Sequence, residues 1–248
     1  MEPVLDNAAR LPRLGVHMFV RILGLVFIIA GSLLGLWVFV VWQWKDPFTS
    51  IYTWYEQRHL VQKYDQRLHD YRARAPEVGA SPQAVGRLLA REAKAYRLAS
   101  HRGEAIARLQ VPRLGLNIIV LNGTDEDSLT KGPGRDLQTF MPGEGKLTYI
   151  AGHRTTYLAP FADIDSLRKG DPVTLSLPYG VFRYRITGHV VVPADDLSRL
   201  NSRGYEQLAL QACHPRFFAT HRYIAYARPR SVTLPNGRTY RLWHYRLS

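Results

Sequence analysis

The chain has 248 residues, 46% of them hydrophobic, and 33 lysines and arginines against 20 acidic residues give a formal net charge of +13. That length and apolar content suffice for one domain plus an appendage and exclude global disorder, while a single cysteine excludes an internal disulfide framework. The basic balance points to nucleic acid or to an anionic envelope surface, but no RNA-binding aromatic signature or zinc-finger spacing accompanies the arginines that continue after the last acid, Glu206. Most of these arginines read as solvated surface, and nucleic acid is not expected as a partner.

In chain order, residues 1–21 form a short basic tail with Arg10, Arg13 and Arg21. Residues 22–42, "ILGLVFIIAGSLLGLWVFVVW", run about 21 residues without a charge, enough at 1.5 Å rise to cross a hydrocarbon core. Trp37, Trp42 and Trp44 gather at one end as an interfacial belt. The preceding arginines hold the amino terminus in the cytoplasm by the positive-inside rule, which sends the rest of the chain outside. No small-residue cleavage pattern follows in "QWKDPF", so the segment reads as an uncleaved single-pass anchor in the cell membrane.

Residues 45–100 read as a helical stalk. Asp46 and Pro47 form a helix start, with Val61, Tyr64, Leu68 and Tyr71 as one apolar stripe. "APEVGASPQ" interrupts it, Ser81-Pro82 repeats the start signal, and Val85, Leu88, Leu89 and Tyr96 form a second stripe. The two helices are expected to pair as an antiparallel hairpin that spaces the remaining domain from the membrane.

Residues 101–248 are expected to be all-β. "IARLQV", "LNIIVL", "KLTYIA", "PVTLSL", "FRYRITGHVVV", "EQLALQA" and "YIAYA" are separated by Gly, Pro, Asn and Asp clusters. Phe182, Tyr184 and Ile186 alternate with Arg183 and Arg185, as in a half-buried antiparallel strand. So many strands in about 140 residues predict a closed barrel or sandwich. No Gly-rich phosphate loop opens a helix.

Three residues in this region suit chemistry. Leu208, Leu210 and Ala212 recur at period two, so Cys213 points to the opposite face at a strand's end, although a lone cysteine is also common core filler. His153 in "YIAGHRTTYLAPF" lies just past a strand, where the glycine lets the chain turn and expose the imidazole. It suits proton transfer near neutral pH, or equally a structural hydrogen bond. Arg222 precedes "YIAYA"; its permanently charged fork of donors suits it to hold a carbonyl or an oxyanion. Cys213, His214 and His221 as a metal set lack a recognised zinc spacing.

A strand followed by Gly-His-Arg, a further pair of strands, a strand ending in Cys and an Arg-x-Ile at a strand start resembles the sortases, the cysteine transpeptidases of Gram-positive envelopes. The resemblance covers residues 105–230, and "LNGTDEDSLTKGPG", "IAGHRTTYLAPFADIDSLRKGD" and "LQACHPRF" are most similar to the class E branch. It implies a closed eight-stranded β-barrel, Cys213 as nucleophile, His153 as general acid and base, and Arg222 as oxyanion and substrate clamp. Where the family usually has Thr-Leu-x-Thr-Cys, this chain ends in Leu210-Gln211-Ala212-Cys213. Tyr157 matches the position that class E enzymes use to accept Ala in place of Pro at the second position of the sorting motif.

The implied reaction cleaves an LPXTG-like or LAXTG-like sorting signal between Thr and Gly through a thioester, without metal or nucleotide. Implied partners are sorting-signal-bearing surface proteins or pilins, with a peptidoglycan precursor or a pilin lysine as the accepting amine. A pilin-polymerising enzyme and a non-catalytic, basic envelope-binding protein are the alternative readings. Asp46-Pro47-Phe48 resembles the lid motif of pilin-building sortases, but its closeness to the anchor favours helix capping.

Overall fold

The computed structural model describes residues 15–43, 47–71 and 81–241. Two compact units divide the chain, one ending at Trp44 and one running from Lys45 to the end.

The first unit is helix α1, Val16–Gln43. Its His17–Val40 stretch is, by length and composition, the one helix among the described residues that is long and apolar enough to cross a membrane. The helix starts before the uncharged run, taking in Arg21, which the sequence reading placed in the tail. Arg10 and Arg13, and Trp44 of the expected belt, lie outside the described residues.

The second unit opens with two helices, α2 (Pro47–Asp70) and α3 (Pro82–Ala99). Ser81 caps α3, its side chain accepting a hydrogen bond from the Ala84 N–H with Pro82 in the first turn, while the cap expected of Asp46 lies outside the described residues. Nine strands follow among the described residues: β1 (Ala105–Val111), β2 (Leu116–Asn122), β3 (Gly134–Arg135), β4 (Leu147–Ala151), β5 (Pro172–Leu177), β6 (Gly180–Pro193), β7 (Gln207–His214), β8 (His221–Thr233) and β9 (Thr239–Arg241). Eight pair in the ring β6-β5-β1-β2-β3-β4-β7-β8, which closes because β8 also pairs with β6 along its length; β9 adds to β8 outside the ring. This is the closed eight-stranded barrel expected.

Alternation decides which side chains fill it. Phe182, Tyr184 and Ile186 of β6 and Leu208, Leu210 and Ala212 of β7 join the central cluster, while Arg183 and Arg185 point outward. Two short strands escaped the sequence reading. β3 has only two residues, too few to alternate, and exists because Gly134 lets the chain approach β2 closely: a Cβ there would sit 1.8 Å from the Gly123 carbonyl oxygen. The other, β9, is three residues long and pairs only with the end of β8.

The helices within residues 45–100 pack closely on the barrel. α3 inserts Val85, Leu89, Ala93 and Tyr96 into the barrel's own core, and the Tyr96 hydroxyl donates to the Ile106 carbonyl at 2.8 Å. α2 covers the outward face of β1 and β2, joining Leu60 and Tyr64 to Ala105, Ile119 and Leu121. Gln57 reads the Ile119 backbone from both sides, accepting from its N–H at 2.8 Å and donating to its carbonyl at 3.2 Å. The helices meet through Tyr71, whose hydroxyl donates to Glu92 and whose ring packs edge-on to Tyr96, but each buries its stripe against the barrel. Leu68, assigned to the apolar stripe, is exposed; the buried face of α2 is Thr53, Gln57, Leu60 and Tyr64. Two of those four are polar and bond to backbone, Thr53 to the Thr130 carbonyl before β3 and Gln57 to Ile119 of β2, so hydropathy alone misplaces the face.

Candidate active site

β4 and β7 are parallel neighbours, with Ala151 opposite Gln211. The Gly152 N–H donates to the Gln211 carbonyl at 3.0 Å and carries the pairing past the end of β4, so two residues on His153 comes level with Cys213. On its other side β7 pairs antiparallel with β8, and Cys213 lies opposite Arg222. The strand order β4-β7-β8 thus sets His153, Cys213 and Arg222 on three adjacent strand ends, with neighbouring strands about 4.8 Å apart.

All three line one cleft of about 320 Å³, walled also by Thr124, Asp136, Tyr149, Leu197 and Ile224. The cleft lies on the outer face of the barrel, because Cys213 alternates with the core residues Leu210 and Ala212. Ala212, which replaces the hydroxyl residue of the usual motif, is fully buried in that core, where a hydroxyl would need a partner.

Gly152 is not among the glycines with positive φ. A Cβ there would meet the ring of fully buried Phe161 at 2.7 Å, so the glycine gives room for the ring that supports the loop after β4. The Phe161 N–H returns to donate to the His153 carbonyl at 3.1 Å, which folds this loop into a compact arch. Burial pushes the His153 imidazole below its ordinary value, with the Glu126 carboxylate opposing, and so favours the neutral ring. Its ring nitrogens have no hydrogen-bond partner among the described residues. Arg222 donates from Nη1 to the Ala219 and His221 carbonyls at 2.8 and 3.1 Å, which leaves Nε and Nη2 without a protein partner among the described residues.

Tyr157 stands apart from the cleft walls but next to His153, the ring centroids 5.0 Å apart and tilted by 43°. Tyr157, Leu158 and Ala159 all have φ between 41° and 61°, a rare run of left-handed residues without glycine. The Tyr157 N–H donates to Thr49 Oγ1 at 2.9 Å, so the first turn of α2 lies against this loop. Sequence closeness to the anchor therefore did not keep the start of α2 away from the site; Asp46 itself lies outside the described residues. His214 and His221 are opposite each other on β7 and β8, and no group of three or more His, Cys, Asp or Glu among the described residues is placed to hold a metal ion.

Sequence reasoning assigned nothing to Arg154, which follows His153 and is buried between the site's two loops. The signal was available in the alternation of an extended segment: if His153 faces the cleft, its neighbour faces inward, and an inward arginine needs partners.

Comparison with known proteins agrees with this architecture. The sortase domain family matches residues 109–230. Sortase D of Bacillus subtilis (strain 168) is 34% identical over 130 residues, covering 51% of this chain and 64% of the relative. Sortase SrtE1 of Streptomyces coelicolor is 26% identical over 157 residues, covering 54% of this chain and 44% of the relative. The chain thus spans less than two thirds of the length of these curated relatives. The solved structure of a Clostridium perfringens Sortase D5 transpeptidase superposes with a TM-score of 0.56 at 22% identity, covering 70% of this chain and 98% of the other, which speaks for the fold. With the matched residues spanning β1 to β8, and so the whole ring and all three clefted side chains, the chain belongs to the sortase family.

Proposed function

We propose that this chain is a membrane-anchored cysteine transpeptidase that cleaves a C-terminal sorting signal of the LPXTG or LAXTG kind between Thr and Gly and transfers the acyl part to an amine of the cell wall. The observation that carries this reading is the placement of Cys213 between His153 and Arg222 on adjacent strand ends of one cleft. In this reading α1 is the anchor, the amino terminus is cytoplasmic and the second unit lies outside the cell. Tyr157 helps select the residue at the second position of the motif.

The chemistry follows from the groups. His153, whose neutral form burial favours, takes the thiol proton, and Sγ attacks the threonine carbonyl carbon. Negative charge moves to the carbonyl oxygen, where Nε and Nη2 of Arg222 donate hydrogen bonds that strengthen as the charge develops. Collapse breaks the C–N bond, and the imidazolium delivers its proton to the departing glycine amine. A second amine then attacks the thioester, gives up a proton to His153 and releases the sulfur, which regains its proton.

Intact-mass spectrometry of the full chain in detergent micelles, mixed with peptides carrying Pro or Ala at the second position, tests this. A thioester adduct is expected on the unaltered protein and absent from Cys213→Ala, with formation slowed by about 100-fold in Arg222→Lys, which keeps the charge but loses the planar fork. A folded, alkylatable protein that forms no adduct with any of the peptides overturns the reading.

A further inference from the structure

The guanidinium of Arg154 is buried beside the cleft, its side chain 3% exposed. Nη1 donates to the carbonyl oxygen of Cys213 at 3.3 Å and lies 2.9 Å from Nδ1 of His214. Nε donates to the Ala162 carbonyl at 3.2 Å, and Nη2 pairs with Asp165 at 2.5 Å. Arg216 reinforces the same join from the other side, donating to the Ala162 carbonyl at 2.6 Å and pairing with Asp163 at 2.5 Å. Two arginines, Arg154 next to His153 and Arg216 three residues past Cys213, thus close on residues 162–165.

We propose that Arg154 is a positioning residue: its side chain ties the arch that carries His153 to the strand end that carries Cys213, and so fixes the spacing of imidazole and thiol across the cleft. This inference rests on the cysteine-transpeptidase reading above. The physical need is specific. β4 stops at Ala151, so the parallel ladder that sets the register ends with the Gly152 bond, one residue short of His153. Four bonds from one planar, permanently charged group replace it. Burying that charge costs free energy unless its donors are paired, and four of the five N–H groups meet a carboxylate, two carbonyls and an imidazole nitrogen. Arginine has no acceptor, so the Nδ1 of His214 must present its lone pair and any proton on the neutral ring sits on Nε2. Arg154 touches neither the thiol nor the imidazole of the proposed pair and acts through the backbone of one and the turn of the other.

The test uses the full chain in detergent micelles, with Arg154→Met, Arg154→Lys and Asp165→Asn. Thioester formation with a sorting-signal peptide is expected to lose about 100-fold in kcat in Arg154→Met with KM nearly unchanged, because misplacement of reacting groups costs rate rather than binding. Arg154→Lys is expected to recover at most about a tenth of wild-type kcat, since one ammonium cannot match a planar fork to four partners. Long-range proton–nitrogen NMR correlations of labelled histidine read the clamp without any peptide: His214 is expected as the Nε2–H tautomer in the unaltered protein and as a mixture in Arg154→Met. A folded Arg154→Met with kcat within about threefold of wild type, or an Nδ1–H tautomer in the unaltered protein, overturns the proposal. If Arg154→Met does not fold, Asp165→Asn decides through a fall in kcat of about 10-fold, and an undiminished kcat overturns the proposal. Should the unaltered protein form no thioester, the transpeptidase reading fails by itself. An unchanged His214 tautomer in Arg154→Met then overturns the clamp separately.

Discussion

Thr49 accepts a hydrogen bond from the backbone N–H of Tyr157 at 2.9 Å, joining the first turn of α2 to the loop that carries His153. The loop needs such support, because Tyr157, Leu158 and Ala159 all have positive φ and each left-handed non-glycine residue costs about 1 kcal/mol or more. Thr49→Val removes the acceptor while keeping the shape. It is expected to cost about 1 kcal/mol of stability and to speed amide exchange across residues 156–159. Unchanged protection in exchange mass spectrometry would show that the loop holds itself.

A barrel cut at residue 101 is expected not to fold as a cooperative unit. Removal of α3 takes Val85, Leu89, Ala93 and Tyr96 out of the central core, and removal of α2 uncovers Ile119 and Leu121. Truncating even one large buried aromatic costs about 3–5 kcal/mol, comparable to the whole stability of a marginal domain. Heat denaturation of residues 101–248 beside residues 45–248 checks this: a sharp transition in the longer piece and a broad one or none in the shorter is expected.

Gly152→Ala is expected to destabilise by about 1–3 kcal/mol through overpacking, because the ring it meets belongs to Phe161, which is fully buried and cannot swing out. Shrinking that ring in Gly152→Ala/Phe161→Leu relieves the clash, so urea unfolding of the pair should give a cost well below the sum of the single changes. Strict additivity would place the role of the glycine elsewhere.

Glu206 gathers the Gly143 and Gly145 N–H groups and the Tyr184 hydroxyl around a buried carboxyl. Burial raises its pKa to about 7 from 4.5, against the lowering effect of those three donors. The native state then holds a proton that the unfolded chain releases, so stability is greatest below pH 4.5 for this group and declines as pH rises toward 7, on the order of 3 kcal/mol in all. Glu206→Gln is expected to flatten that slope in denaturant unfolding measured across the window, whatever its effect at a single pH. A slope of unchanged steepness would assign it to other groups.

Local pattern made much of this protein readable from its sequence. The uncharged run of residues 22–42 is a matter of composition, and period-two alternation at Phe182, Tyr184 and Ile186 or at Leu208, Leu210 and Ala212 declares which face is buried. The same alternation turned Cys213 outward, and the residues around it, His153 and Arg222 carried the family resemblance. Tertiary structure alone decided what depends on partners distant in the chain. The two-residue β3 is defined by its neighbours, and the parallel pairing of β4 with β7 that levels His153 with Cys213 joins segments about 60 residues apart. Within residues 45–100 the polar Thr53 and Gln57 lie outside the apolar stripe and yet are buried, Thr53 against the Thr130 carbonyl and Gln57 against the Ile119 backbone of β2. Arg154 had no role legible in the sequence and is enclosed by Asp165, Ala162, Cys213 and His214. Hydrophobic periodicity reports the burial of apolar groups, whereas a polar group is buried only when a distant segment supplies its hydrogen bonds, and that supply exists only in the folded chain.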